Sequence, residues 1–213
     1  FTSCCPGWVD YAEKRYHDLL PNLSTTKSPQ GIQGALTKTY WAEQTHLKPE
    51  QIFHLSIMPC TAKLHESRRN DTMKTGGVPN TDAVLTTREF ADLIGQWGID
   101  FAALPEGVAD NPLGPYSGAA TIFGATGGVM EAAVRTAYAL VEKKELKDLN
   151  FAPARGLKDV KEAELMLGGK KLRIAVVHQL GNVDAVVGRI RAARDAGQEP
   201  PWHFVEVMAC PGG

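Results

Sequence analysis

The sequence predicts an α/β protein made of two lobes, each a twisted, largely parallel sheet flanked by helices. Three observations lead there. Short runs rich in Val, Ile and Leu alternate with segments of helical periodicity. Turns built from Pro, Gly or Cys close most of these runs. Leu172–His178 is apolar with little alternation, as expected of a strand covered on both faces.

The elements follow in order. Residues 1–6 are expected to be extended, and Gly7–Leu20 carries Trp8, Val9, Ala12, Tyr16, Leu19 and Leu20 at helical spacing, closed by Pro21. A second helix opens at Ser28-Pro29, with Ser28 as N-cap and proline at the first helical position, and runs to about Thr45. Ile52–Met58 is a strand ending at Pro59-Cys60, and Thr61–Arg69 a short helix. Ala83–Thr86 and Thr87–Ile94 form a further strand and helix. Residues 104–125, rich in Gly, Pro and Ser, are expected to be irregular. A turn at Gly124–Gly128 leads into the longest helix, Val129 to about Glu145, with Met130, Ala133, Val134, Ala137 and Val141 on one face. After the Leu172–His178 strand come a helix at Val183–Asp195, ended by Ala196-Gly197, and a last strand at His203–Met208 that delivers Cys210. The lobes are expected to divide near Arg69, at about 1–69 and 70–213.

Composition narrows the function. A chain of 213 residues with 43% hydrophobic and 22% charged residues is ordinary for a globular protein and can bury a sizeable core. A net charge of -1 without a long basic run gives no reason to expect nucleic acid or an anionic membrane as partner. Apolar stretches fall short of a membrane span, and no signal peptide is visible. Four cysteines do not make a disulfide scaffold, and Cys4 and Cys5 are adjacent, a poor geometry for bridging each other. Reduced thiols or metal ligands are the better reading, which places the chain in the cytoplasm, with the periplasm as alternative. There is no initiator Met, so the sequence is expected to be an excerpt of a longer protein.

All four cysteines lie in three segments: Phe1-Thr-Ser-Cys-Cys-Pro-Gly-Trp8, Ile57-Met-Pro-Cys-Thr-Ala-Lys63 and Glu206-Val-Met-Ala-Cys-Pro-Gly-Gly213. Thiolates are the usual protein ligands of iron–sulfur clusters, and the carboxyl ends of strands are where α/β folds form sites. The separations alone leave two readings open, buried structural thiols or ligands that meet only in the fold. Cys60 and His65 are spaced like half a zinc site with no second pair to complete it. Gly124, Gly127 and Gly128 allow close backbone approach but do not form the G-x-G-x-x-G of a dinucleotide site. Taken singly, Lys63 reads as a solvated lysine, Ser24 as a turn residue, and Met58, Met208 and Phe123 as core.

Taken together, the three segments resemble the signature motifs of the [FeFe] hydrogenases, in the family's order and at compatible separations. The resemblance extends through Leu23–Gln30, Asp82–Glu89, Tyr116-Ser-Gly-Ala119, Ile122–Ala133 and Arg155-Gly-Leu157, and so spans essentially the whole chain. It implies an H-cluster, a [4Fe-4S] cubane joined to a diiron subcluster with CO, CN and a bridging dithiolate, set in the cleft between the lobes. By the same resemblance Cys5, Cys60 and Cys210 are similar to three cubane ligands, and the fourth is expected directly after Gly213. Cys4 resembles the family's proton donor, a role suited to a thiol of reference pKa about 8.5. Ser24 resembles the hydroxyl of its proton relay. Lys63 resembles the lysine that donates to a cyanide ligand, Ser28 and Gln30 match pocket positions, and Met58, Phe123 and Met208 match the pocket's apolar wall.

The implied activity is the reversible interconversion of protons and electrons with H₂. Electrons would come from ferredoxin or a pyridine nucleotide, through accessory iron–sulfur domains or subunits outside this sequence. Two rivals stand beside it. One is a non-catalytic iron–sulfur relative acting in cluster assembly or in redox or H₂ sensing, which should lack the diiron pocket. The other is a plain α/β binding protein with inert thiols.

Overall fold

The computed structural model describes residues 1–69 and 71–211. The chain forms two compact units, one built from Phe1–Thr25 with Tyr116–Gly213 and the other from Thr26–Pro115. This corrects the expected division near Arg69. The first unit is discontinuous because the amino-terminal segment is tied to the last strand: Thr2 N–H donates to Val205 O at 3.0 Å, and the Trp8 indole donates to Thr2 O at 3.1 Å. Residues beyond 69 stay with the second unit because the strand at Ala83–Thr86 pairs with the strand at Leu55–Met58.

In chain order, α1 (Pro6–Arg15) starts on a proline and ends at Tyr16, where φ turns to −134° and a 3₁₀ turn, His17–Asn22, follows. The helix expected over Gly7–Leu20 is thus two pieces. In the second unit, α2 (Pro29–Leu36) has Ser28 as N-cap, its hydroxyl accepting from Gly31 N–H at 3.2 Å. The helix continues to Gln44 through a π-helical stretch at Thr37–Trp41 and α3 (Ala42–Gln44).

Strand β1 (Leu55–Met58) precedes α4 (Ala62–Ser67). Strands β2 (Lys74–Thr75) and β3 (Val78–Pro79) form a small hairpin over Gly76-Gly77, both at positive φ as a tight two-residue turn requires. Strand β4 (Ala83–Thr86) lies parallel to β1, and α5 (Thr87–Gln96) opens on a Thr86/Glu89 capping box.

Back in the first unit, α6 (Gly118–Ile122) is a short helix inside a stretch expected to be irregular. Helix α7 (Gly128–Glu142) follows a positive-φ Gly127. Then come β5 (Ala152–Pro153), β6 (Val160–Leu167), β7 (Lys170–His178), α8 (Val183–Asp195) and β8 (Phe204–Met208).

The α/β class holds, but the larger sheet is mixed rather than largely parallel. In the order β5-β6-β7-β8, only β7 and β8 are parallel. Gly168-Gly169 turns β6 tightly into β7, and that hairpin forces the antiparallel pairing. Both faces of the sheet are covered. Ala175, Val177, Val205 and Val207 pack with Trp8 of α1 and Val183, Val186 and Val187 of α8. Ile174 and Val176 face Met130 and Val134 of α7. Two-sided burial explains the near-continuous apolar run of β7. No helix among the described residues is long and apolar enough to cross a membrane.

Candidate functional site

In the first unit, the α1 start and the β8 end come together at Cys5. Cys5 is the N-cap residue of α1, 8% exposed, and its Sγ accepts the backbone N–H of Ala209 at 3.4 Å. Ala209 directly precedes Cys210, so one N–H···S contact links the two cysteine segments of this unit. A Cβ on Gly7 would stand 3.0 Å from the Ala209 Cβ, so the Pro-Gly after the cysteines lets the strand end approach. Cys4 is half-buried and Cys210 exposed. Met208, half-buried at the end of β8, packs against the same core as Trp8. Phe123 is the half-buried C-cap of α6, and Ser24 N–H donates to Phe1 O at 2.9 Å.

The second unit holds Met58 and Cys60, both half-buried, on either side of Pro59 at the end of β1. One turn later α4 carries Lys63, which is 9% exposed rather than solvated. Its Nζ lies 3.0 Å from Glu66 Oε2 and 3.2 Å from Oε1, the i,i+3 spacing placing both on one helix face. Ser28 Oγ donates to Glu66 Oε2 at 2.8 Å, and Gln30 Nε2 donates to it at 3.3 Å and to Lys63 O at 3.1 Å. Ser28, Gln30, Lys63 and Glu66 are all buried. Gln30 Oε1 is buried without a hydrogen-bond partner among the described residues.

Two carboxylates escaped the sequence reading. Glu66 was signalled only by its i,i+3 relation to Lys63. Glu206 of β8, fully buried, accepts from Gly127 N–H at 2.7 Å and Met130 N–H at 2.6 Å, and so caps α7 from the sheet face that α7 covers. Burial pushes its carboxyl above the usual 4.5, against the pull of those two donors. Its sequence signals were its place at the head of the third cysteine segment and an acidic residue inside an apolar strand.

Cys5 and Cys60 are free thiols, one buried and one half-buried. Among the described residues, no three His, Cys, Asp or Glu side chains are grouped to hold a metal ion. A cluster asks for a different arrangement, since each thiolate ligates its own iron. The site thus defines a thiol-rich α/β protein suited to an iron–sulfur group.

The comparisons name the class more closely. The chain belongs to the family described as iron only hydrogenase large subunit, C-terminal domain, which it matches over residues 1–213. It is 49% identical over 213 residues to the periplasmic [Fe] hydrogenase large subunit of Nitratidesulfovibrio vulgaris, covering 100% of this chain and 49% of that protein. It is also 33% identical to cytosolic iron-sulfur assembly component 3 of Bos taurus, over 100% of this chain and 44% of that one. An [FeFe]-hydrogenase HydA1 structure from Chlamydomonas reinhardtii superposes with a TM-score of 0.84 at 36% identity, covering 99% of this chain and 59% of that one. The chain spans about half the length of these curated relatives.

The cofactor of the [FeFe] hydrogenases is the H-cluster, a [4Fe-4S] cubane with a diiron subcluster. The residues present fit such a group. Thiols in each unit supply the ligand chemistry; in the first unit an N–H···S contact steadies negative charge on Cys5, and in the second a buried ammonium and an amide oxygen without a partner among the described residues offer polar contacts.

Proposed function

We propose that this chain is the part of an [FeFe] hydrogenase that holds the H-cluster and interconverts protons and electrons with H₂. The burial of Lys63 carries the reading. A lysine three residues after a cysteine should point to water, yet this one is 9% exposed and locked onto Glu66. A cubane held by thiolates has no need of such a group, whereas an anionic cyanide ligand does.

Cys5, Cys60 and Cys210 are then the cubane ligands. Lys63 donates to cyanide, Ser28 and Gln30 border the same group, and Met58, Phe123 and Met208 wall out water. When bound, the group supplies the redox-active irons at which H₂ is formed and split. The Cys4 Sγ holds and passes the proton, with Ser24 as the next hydroxyl of its path. Electrons come from ferredoxin or a pyridine nucleotide, and the cytoplasm is the expected compartment.

The assembly-component relative keeps a second reading alive, a cluster protein without H₂ turnover. The presence of Cys4, Lys63, Met58 and Met208 together argues against it. The full-length parent protein, produced with the machinery that builds the diiron site, decides the matter. Methyl-viologen-driven H₂ evolution with infrared bands of CO and CN is the expected result. A loaded cubane with neither bands nor H₂ would establish the second reading.

A further inference from the structure

We propose that Trp8, Tyr16 and Tyr11 form an oxidation relay, which carries one-electron damage away from the cysteine site and protects the buried indole beside it. The relay needs only iron at that site, so it goes beyond the hydrogenase reading and does not depend on H₂ turnover.

The path begins one helical turn after Cys5. Trp8 of α1 is fully buried in the core that also holds Cys5. The Trp8 and Tyr16 ring centroids lie 6.1 Å apart, and those of Tyr16 and Tyr11 5.7 Å. Rings at these separations touch, so an electron passes between them without crossing saturated chain. Indole and phenol give up one electron to a strong oxidant, whereas a phenyl ring does not. Phe1, 5.4 Å from Trp8, is therefore a dead end, and Tyr16 is the next step.

The protons give the path its direction. The Trp8 N–H donates at 3.1 Å to Thr2 O, a carbonyl that cannot take the proton. Loss of an electron thus leaves Trp8 a cation in an apolar core, which is costly. Tyr16 has the acceptor that Trp8 lacks. Its hydroxyl donates to the carboxylate of Asp184, an exposed residue in the first turn of α8. Burial and that carboxylate hold the phenol above its usual pKa of 10, so Tyr16 keeps its proton until oxidation. Arg191 lies 5.4 Å over the Tyr16 ring and opposes positive charge there, which favours losing proton and electron together.

The steps balance as follows. A hydroxyl-type radical, formed from peroxide by iron, takes one electron from Trp8. Tyr16 returns that electron and passes its phenol proton to Asp184, becoming a neutral radical. The half-buried Tyr11 restores Tyr16 with a hydrogen atom, and a small thiol in solution restores Tyr11 likewise. Two thiyl radicals then pair as a disulfide, while the Asp184 proton leaves to water.

The test uses the iron-loaded full-length parent with Tyr16→Phe, Tyr11→Phe and Asp184→Asn, their folds compared by thermal melts. After a peroxide pulse and freezing, EPR of the parent should show a tyrosyl radical that narrows with ring-deuterated tyrosine. Tyr16→Phe should lose it, Asp184→Asn should weaken it, and Tyr11→Phe should prolong it when glutathione is present. Peptide mass mapping should find more oxidised Trp8 in Tyr16→Phe and Asp184→Asn than in the parent. Trp41, Trp97 and Trp202 should stay at parental levels and so report general damage. An unchanged tyrosyl signal in Tyr16→Phe would overturn the relay. So would no aromatic radical in the parent, or a rise in oxidation shared by all four tryptophans. Protein that carries a cubane but evolves no H₂ serves equally, so failure of the hydrogenase reading is seen separately. Asp184→Asn, at an exposed position, decides the matter if Tyr16→Phe does not fold.

Discussion

The Lys38 ammonium lies 2.8 Å from Asp82 Oδ2 with its side chain only 1% exposed, joining the π-helical stretch after α2 to the start of β4. The same ammonium donates to Ile52 O and, at 3.2 Å, to Pro49 O, while Asp82 Oδ2 also accepts His54 N–H at 2.7 Å. Burial alone would raise the Asp82 carboxyl, but the Lys38 and His54 contacts hold it below its usual range. A π-turn widens a helix by one residue, and here it lets a long cation reach inward to the strands. Lys38→Ala removes the cation from Asp82, which keeps the His54 N–H, and the donor from two carbonyls. Urea denaturation should register a loss of about 3 kcal/mol, the lower end for a broken buried pair because Asp82 keeps some exposure.

Cys4→Ser in the loaded full-length parent should retain iron while H₂ evolution drops about 10²–10⁴-fold, since a hydroxyl is far less acidic than a thiol. Iron analysis and methyl-viologen assays on the same preparation separate proton delivery from cofactor loss. Retained turnover at full loading would remove Cys4 from the proton path.

Glu206 gives the fold a pH signature. Its folded pKa is raised from 4.5 by burial, so below 4.5 the side chain is protonated in both folded and unfolded chains. As pH climbs from 4.5 through the raised value, the unfolded chain ionises first, and stability supplied by this group is lost. Melting temperatures of the parent relative to Glu206→Gln should therefore decline over that interval as pH rises. Parallel melting profiles for the two proteins would refute this.

Gly128→Ala and Gly95→Ala should move stability in opposite directions. A Cβ at Gly128 would sit 1.7 Å from the Ile122 carbonyl oxygen, which is backbone and cannot step aside, so α6 and α7 would be forced apart. A cost of about 3 kcal/mol is expected. Gly95, inside α5, has nothing within 4 Å of its added methyl, and alanine there should stabilise by about 0.5–1 kcal/mol. Thermal melts of the two variants are the check.

Local chemistry made several elements legible in the sequence. Helix α8 runs over Val183–Asp195 as its periodicity and the Ala196-Gly197 stop indicated, and Ser28 caps α2 as its place before Pro29 implied. Strand β6 was not legible, although Gly168-Gly169 marks its hairpin. Lys161, Glu162 and Glu164 give it the look of a polar stretch, and its pairing with β7 supplies what its composition lacks. The boundary of the units was hidden for another reason. Thr2–Val205 pairing leaves no trace in the composition near Arg69. At the site, the motifs exposed the thiols, Lys63 and the position of Glu206, but the contacts of Glu66 and the capping role of Glu206 rest on backbone and side-chain geometry that spacing alone cannot show.

The discontinuity of the first unit also sets a timetable for the nascent chain. Residues 26–115 form their unit from one unbroken segment and can close their contacts early in synthesis. The bond from Val207 N–H to Thr2 Oγ1 joins residues 205 positions apart, and Ala209 reaches Cys5 from a similar distance along the chain. Such closures are slow and cannot begin until the last strand has left the ribosome. Cys5 is thus housed only by a segment 204 residues further along the chain. Until that segment is made, the Cys5 thiol lacks its buried place and is open to oxidation wherever the surroundings are not reducing.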